Sequence, residues 1–341
     1  MKRNETRKVK VGNLIIGGNE HIFIQSMCTY KTSNLKLLLQ QIKDLELAGC
    51  EIIRVSIVDD ADIKALHSII KSTKMPVVAD IHFDYTLALK AIESGVAAVR
   101  VNPGNLGDIS NFEKVILCAK KQKCAIRIGL NTGSFTNPTV KALLDSAENY
   151  LKLAKKLHFN DLVLSFKSSD IKTTIKVNEL AAKRFDYPLH LGLTEAGDIS
   201  SSLIRSTLAL GPLLNKGLGN TIRISITGDP LQEISACKEL LSDLGLLKDS
   251  IRIISCPTCG RSQVNVLEIV DKLKPELSKI KKGLTVAIMG CPVNGPGEAK
   301  AADIGIAGGK NNFVLFIKGK VVGTYSSQEI SQVLLNKIQE L

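Results

Sequence analysis

Between residues 22 and 226 the chain alternates short, continuous apolar runs with amphipathic stretches. The runs cover residues 22–27, 51–57, 76–81, 97–101, 125–130, 161–166, 188–193 and 221–226. Most lack the strict apolar–polar alternation of a half-wet strand, so they read as strands covered on both faces. The intervening segments follow another period. Leu35, Leu38, Leu39, Ile42 and Leu45 recur along one helical face between Leu35 and Ala48, and residues 149–157 behave similarly. Eight such strand–helix repeats predict a closed (β/α)8 TIM barrel rather than an open sheet. Ahead of them, Val9–Val11 and Leu14–Ile16, turned at Gly12-Asn13, predict a short hairpin.

A helix over residues 231–244 completes the eighth unit, and the pattern then changes. Residues 251–255 and 284–289 read as strands, with a helix over 264–273 between them. Residues 304–307 lead into a hairpin, 313–317 and 321–325, turned at Gly319-Lys320, and a helix over 327–341 follows. The expected organisation is a barrel over residues 1–249 and a small α+β domain over residues 250–341.

Composition narrows the functional classes. The 341 residues are 44% hydrophobic, and no apolar run approaches the length of a membrane span. The basic start, Met-Lys-Arg-Asn-Glu-Thr-Arg-Lys, is not followed by the apolar core of a signal peptide. Eight cysteines are too few for a disulfide scaffold of this size, so the expected compartment is a reducing cytoplasm. The net charge of +12 raises the possibility of nucleic-acid binding, but the charge is spread over both domains. Aromatics are only 4% and Trp is absent, so there is no stacking platform for bases. Attraction of a small anionic substrate is the sharper reading.

The strands themselves carry polar residues that packing does not explain. Arg54, Arg100, Arg127 and Arg223 each interrupt an apolar run. Residues two apart share a strand face, so Arg100 goes with Asn102, Arg127 with Gly129 and Asn131, and Arg223 with Ser225 and Thr227. By the same rule Asp80 goes with His82, Ser165 with Lys167 and His190 with Thr194. Polar groups therefore gather toward the C-terminal strand ends, where barrel active sites lie. Guanidiniums buried without partners are costly, and a phosphate or diphosphate would supply the missing charge. The competing explanation is a scaffold network in which these arginines pair with Asp59, Asp80, Glu195 and Asp229.

The second domain carries a different chemistry. Cys256-Pro-Thr-Cys259-Gly-Arg261 offers two thiolates, and Gly290-Cys291-Pro-Val-Asn-Gly-Pro-Gly-Glu298 offers a third on a rigid, glycine-rich loop. A closed zinc site would want a fourth cysteine or a histidine, yet no histidine follows His190. Glu298 is the available oxygen donor, and three cysteines with one carboxylate suit a 4Fe-4S cluster with an exchangeable ligand. Zinc in this tail, attached to a cluster-free barrel synthase acting on a pterin or other phosphate ester, stays open as an alternative. A basic zinc module that binds RNA is the non-enzymatic one.

Taken together, these residues resemble the 4-hydroxy-3-methylbut-2-enyl diphosphate synthase family of the bacterial methylerythritol phosphate route to isoprenoids. The resemblance spans the chain. It includes Val11-Gly, Ile16-Gly-Gly, Gln25-Ser-Met27, Ala79-Asp-Ile-His82, Arg100-Val-Asn-Pro-Gly104, Arg127-Ile-Gly-x-Asn131 and Leu193-Thr-Glu-Ala-Gly197, besides the two specific cysteine motifs. One departure is Met27-Cys28-Thr29-Tyr30, where the family more usually has Thr-Asn-Thr after Ser-Met; Cys28 is not counted as a cluster ligand. The resemblance implies a barrel joined to a 4Fe-4S domain held by Cys256, Cys259, Cys291 and Glu298. It implies reductive ring opening of 2-C-methyl-D-erythritol 2,4-cyclodiphosphate, with electrons arriving singly from flavodoxin or ferredoxin. Arg54, Arg100, Arg127, Lys167 and Arg223, with Asn102, Asn131 and Ser225, are the expected substrate-binding set. Glu195 is the expected acid, with Asp80 and His82 as orienting groups.

Barrel geometry adds an expectation about assembly. The helix over 231–244 returns the chain to the floor of the barrel, and residues 245–250 reach at most about 20 Å when extended. That is poor reach for a domain that must come back to its own barrel's mouth. The expected assembly is a homodimer in which each cluster domain caps the partner's barrel.

Overall fold

Eight parallel strands form the ring that the sequence predicts. In chain order they are β3 (Phe23–Met27), β4 (Ile52–Ser56), β5 (Val77–Ile81), β6 (Ala98–Val101), β7 (Ala125–Asn131), β8 (Leu162–Lys167), β9 (His190–Leu191) and β10 (Thr221–Ile222), after a hairpin of β1 (Val9–Val11) and β2 (Leu14–Ile16). They hydrogen-bond in the order β8-β7-β6-β5-β4-β3-β10-β9, and a bridge from Leu164 to Leu189 joins the two ends. The computed structural model describes residues 3–18, 21–135, 138–291, 297, 299–310 and 312–341. The chain divides into two compact units, Met1–Leu240 and Leu241–Leu341.

Eight helices alternate with the ring strands: α1 (Leu35–Ala48), α2 (Asp60–Ser72), α3 (Tyr85–Glu93), α4 (Ile109–Gln122), α5 (Val140–Lys156), α6 (Ile171–Arg184), α7 (Ile199–Asn215) and α8 (Pro230–Asp243). Local chemistry starts several of them. Asp59, Asp84, Asp108, Asp170 and Asp198 each accept a backbone N–H from the first turn of the helix that follows. Helix α5 begins at Val140, well before the expected residue 149, because Thr139 caps it through the Ala142 N–H.

Strand alternation divides the barrel interior into layers. Phe23, Ile52, Val78, Ala98, Ala125 and Val163 form an apolar floor, closed by Val9, Val11 and Ile16 of the hairpin. Two residues further along β4 to β7 the same face carries Arg54, Asp80, Arg100 and Arg127. The hairpin is thus a stopper for the end of the barrel opposite the active-site end.

Two ring strands are shorter than expected. Arg223 N still donates to Leu191 O at 3.0 Å, but further on side chains take the backbone's hydrogen bonds: Ser225 Oγ donates to Leu193 O, and Ile226 N donates to Glu233 Oε1. The strands end where the site begins.

The second unit is a five-stranded sheet ordered β11 (Arg252–Ser255), β12 (Thr285–Met289), β13 (Ile304–Gly308), β14 (Asn312–Ile317) and β15 (Lys320–Ser326). The first three strands run parallel, and β14 pairs antiparallel with both β13 and β15. Helices α9 (Val266–Leu277) and α10 (Ile330–Glu340) supply Val266, Leu273, Leu277, Leu334 and Ile338 to a core with Val286, Ile288, Ile304 and Ile306. The alternate strand face, Ala287, Met289 and Ala307, packs with Ala299, Ala302 and Phe316. The hairpin turns at Lys318 and Gly319, both left-handed, one residue earlier than the sequence suggests.

Candidate active site

A cavity at the C-terminal end of the barrel is lined by Arg54, Arg100, Arg127, Asn131, Ser165, Lys167, His190, Leu193, Thr194, Glu195, Arg223 and Ser225. Strand register explains the convergence. Asp80 sits beside Arg100 and Arg100 beside Arg127 across β5, β6 and β7, while Asn131 sits beside Lys167 across β7 and β8.

The cations are not equally paired. Arg54 Nη2 donates to Asp80 Oδ2 at 2.9 Å, and Arg100 Nη1 approaches Asp80 Oδ1 at 3.4 Å. Burial alone would raise the Asp80 pKa. The Arg54 guanidinium, the His82 bond at 3.1 Å and the Arg100 guanidinium overcome that and hold it well below the usual carboxylate range. Arg223 is gripped at two points by Glu233, Nε to Oε2 at 2.9 Å and Nη2 to Oε1 at 2.7 Å. Glu233 also accepts from Ser26 Oγ at 2.7 Å. Arg127 donates to the neutral Gln25 Oε1. Among the described residues the Lys167 amine makes neither hydrogen bond nor ion pair, and it keeps some contact with the open cavity. Burial first, then the surrounding guanidiniums, push the pKa values of Arg127 and Lys167 well down. His190 is pushed down by the same causes; its Nδ1 bonds Thr221 Oγ1 at 2.7 Å and its Nε2 is unpartnered.

Two glycines make room for these side chains. A Cβ on Gly129 would lie 2.5 Å from Arg100 Nε, and one on Gly192 would lie 2.6 Å from Lys167 Nζ. Glu195, exposed on the rim after β9, has a left-handed backbone with φ of 54°. That conformation is uncommon for a residue with a Cβ.

Three expected substrate-binding or orienting residues, Asp80, His82 and Asn102, lie outside the lining set. Asn102 turns its Oδ1 onto the Gly104 N–H and caps a short turn, so it does not line the cavity. His82 bonds Asp80 from outside the lining set. The competing scaffold network is formed only in part. Asp59 bonds Lys31, and Asp229 Oδ1 accepts the Leu231 N–H. Glu195 accepts a bond from Arg205 at its backbone carbonyl. Only Asp80 pairs with arginines as that network required. Glu233 was missed, although a carboxylate on the face of α8 that also carries Cys237 and Leu241 breaks an apolar stripe. Gln25, one polar position on the same strand face as Phe23 and Met27, was missed too.

In the second unit, β11 and β12 run parallel, with Ser255 beside Ile288, so both cysteine loops leave the same end of the sheet. The loops interlock. Gly290 N donates to Cys256 Sγ at 3.1 Å, and Gln263 N donates to Gly290 O at 2.7 Å. The Cys259 thiol is pushed down, first by the Arg261 backbone N–H and then by its side chain, which favours the thiolate a metal needs. Cys256, Cys259 and Cys291 are all free thiols, and Glu298 lies outside the described residues. Among the described residues, no three His, Cys, Asp or Glu side chains are grouped to hold one metal ion. A four-iron cluster spaces its ligand sulfurs more widely than a single ion does. Three free thiols and an N–H aimed at one sulfur fit that group. Cys28, by contrast, is buried in the first unit, which pushes its thiol up to about 12.

The chain matches the GcpE TIM-barrel domain over residues 6–238 and the GcpE protein C-terminal domain over residues 252–340. It is 45% identical over 349 residues to a 4-hydroxy-3-methylbut-2-en-1-yl diphosphate synthase (flavodoxin) of Clostridium perfringens, covering 100% of both chains. A synthase of the same name from Caldanaerobacter subterraneus subsp. tengcongensis is also 45% identical, over 99% of this chain and 98% of that one. In fold alone, 70% of the chain resembles 99% of the Yersinia pestis dihydropteroate synthase sulfonamide complex, with a TM-score of 0.53 at 10% identity. A truncated 3-deoxy-D-arabino-heptulosonate 7-phosphate synthase of Thermotoga maritima gives 0.51 at 16% identity, over 71% and 91% of the two chains.

Proposed function

The chain belongs to the GcpE family of 4-hydroxy-3-methylbut-2-en-1-yl diphosphate synthases, and from that premise we propose how its residues divide the work. The enzyme is an oxidoreductase that converts 2-C-methyl-D-erythritol 2,4-cyclodiphosphate to 4-hydroxy-3-methylbut-2-enyl diphosphate in non-mevalonate isoprenoid biosynthesis. Two electrons and two protons enter, the ring opens, and one water leaves. The pterin-synthase alternative keeps only the likeness of fold.

The observation that carries the site assignment is an excess of buried cations. Arg54, Arg100, Arg127, Arg223 and Lys167 face the cavity, while among the described residues only the carboxylates of Asp80 and Glu233 pair with any of them. The cyclodiphosphate anchors on this set, with Asn131 and Ser225 as further hydrogen-bonding groups. Asp80 spaces Arg54 and Arg100, and His82 steadies Asp80 from the outside. Glu195 on the rim donates a proton to the departing oxygen, its left-handed backbone aiming the carboxyl.

Cys256, Cys259, Cys291 and Glu298 hold a 4Fe-4S cluster. When bound, it supplies electrons one at a time, received from flavodoxin or ferredoxin. The relatives' name favours flavodoxin. The free thiols fit a cytoplasmic enzyme, and among the described residues no helix is long and apolar enough to cross a membrane. We further propose a homodimer in which the cluster domain caps the partner's barrel. The chain between Asp243 and Arg252 is drawn in by bonds from Gly245 N to Ser242 O and Leu246 N to Leu241 O, which supports the short reach.

The test is anaerobic purification with iron, sulfide and zinc analysis, followed by reduction and product detection by phosphorus NMR. Cluster-loaded, reduced enzyme that leaves the cyclodiphosphate intact would overturn the reading.

A further inference from the structure

Lys167 differs from every other cation of the cavity. Arg54 and Arg100 share Asp80, Arg223 has Glu233, and Arg127 has Gln25. Lys167 is only 9% exposed, and its amine makes no hydrogen bond or ion pair among the described residues. Its surroundings are nearly all positive. Arg54 faces it from β4, Arg100 from β6, Arg127 with Asn131 from β7, and Arg223 with Ser225 from the segment just after β10. His190 comes from β9, and Thr194 with the exposed Glu195 from the loop beyond it. Asp80, on β5, is already bonded to two guanidiniums and His82. Gly192 offers no side chain, and the amine passes directly over it.

An ammonium in such a place is opposed by burial and by four like charges. Those two causes, burial first, push the Lys167 pKa well below the ordinary lysine value. Arg127 shares the environment, but a guanidinium starts so high that it keeps its proton. Lysine has no such margin.

We propose that Lys167 is a neutral amine in the empty cavity and takes up one proton when the dianionic cyclodiphosphate binds. The idea rests on the cavity being the cyclodiphosphate site. Each phosphorus of that ligand bears a single acidic oxygen, ionised far below neutral pH, so the ligand itself exchanges no proton near pH 7. The balance is one amine, one proton from solvent and one dianion, giving an ammonium–dianion pair, with no covalent bond of the ligand changed. Affinity then falls about tenfold per pH unit wherever Lys167 is neutral when empty and charged when occupied. Below its pKa in the empty cavity, the dependence disappears.

The experiment is titration calorimetry of the oxidised holoenzyme with cyclodiphosphate and no electron donor, in buffers of equal pH and different ionisation enthalpy. Wild type should take up about one proton per site. K167R, whose side chain is always charged, should bind without uptake and lose the tenfold pH dependence; H190Q should keep the uptake. Wild-type binding without proton uptake overturns the proposal and needs no variant to fold. So does uptake that persists in K167R, or uptake that vanishes in H190Q. Absence of any binding to wild type would instead defeat the reading of the cavity itself, and this proposal with it.

Discussion

Glu233, on the first turn of α8, holds Arg223 through both of its carboxylate oxygens, at 2.7 and 2.9 Å, although only Arg223 lines the cavity. Glu233 is 1% exposed, so removing it strands a buried guanidinium. We expect E233A to lose about 3–5 kcal/mol of stability, and E233Q less, because the amide retains one acceptor. Bound cyclodiphosphate should recover part of the loss in thermal unfolding. Wild-type stability in E233A would contradict the pairing.

Arg127 has a neutral partner, so its charge is the more available to a ligand. R127M should fold and weaken cyclodiphosphate binding by one to two orders of magnitude, about what one charge-assisted hydrogen bond is worth. R54M should be the less stable of the two, since it removes a partner of the 1% exposed Asp80. Equal stability and undiminished affinity in R127M would make the arginine a scaffold group.

The depressed Asp80 pKa sets a pH dependence of stability. A carboxyl held below its unfolded value stabilises the fold above about pH 4 and loses that contribution as pH falls through the folded value. D80N should therefore be destabilised by about 3–5 kcal/mol near neutral pH, with the gap to wild type closing on acidification. Denaturant melts at pH 7 and below pH 4 check this; a gap that widens in acid would contradict it.

C256S, C259S and C291S should each lose the broad visible absorption of the cluster, because each removes a thiolate ligand. E298A should keep much of the absorption and lose most of the activity, since water can replace an oxygen ligand. Full iron and sulfide in C291S would sink the ligand assignment.

The capped homodimer is tested by mixing chains that are dead in different domains. E195Q and C291S, each inactive alone, should give one working site in every mixed dimer. Confirmed mixed dimers with no activity above either parent would end the model.

The barrel was legible in the sequence because a strand buried on both faces must be apolar along its length. That made Arg54, Arg100, Arg127 and Arg223 stand out as interruptions. The cysteine loops were legible because ligand spacing and glycine-rich turns are local properties of the chain. The partners of the cations were not, because pairing depends on which strands and helices come to lie side by side. Gln25 reaches Arg127 from 102 residues away, and Glu233 reaches Arg223 from the turn of a helix that reads as ordinary packing. The same limit applied to Asn102 and Asn131, which share the strand-end pattern. A turn spends the first on its own backbone, while the ring leaves the second facing the cavity. Sequence alone thus determined which residues were costly to bury. The tertiary structure decided which of those costs the protein meets with its own carboxylates, and among the described residues it left Lys167 and Arg127 without one.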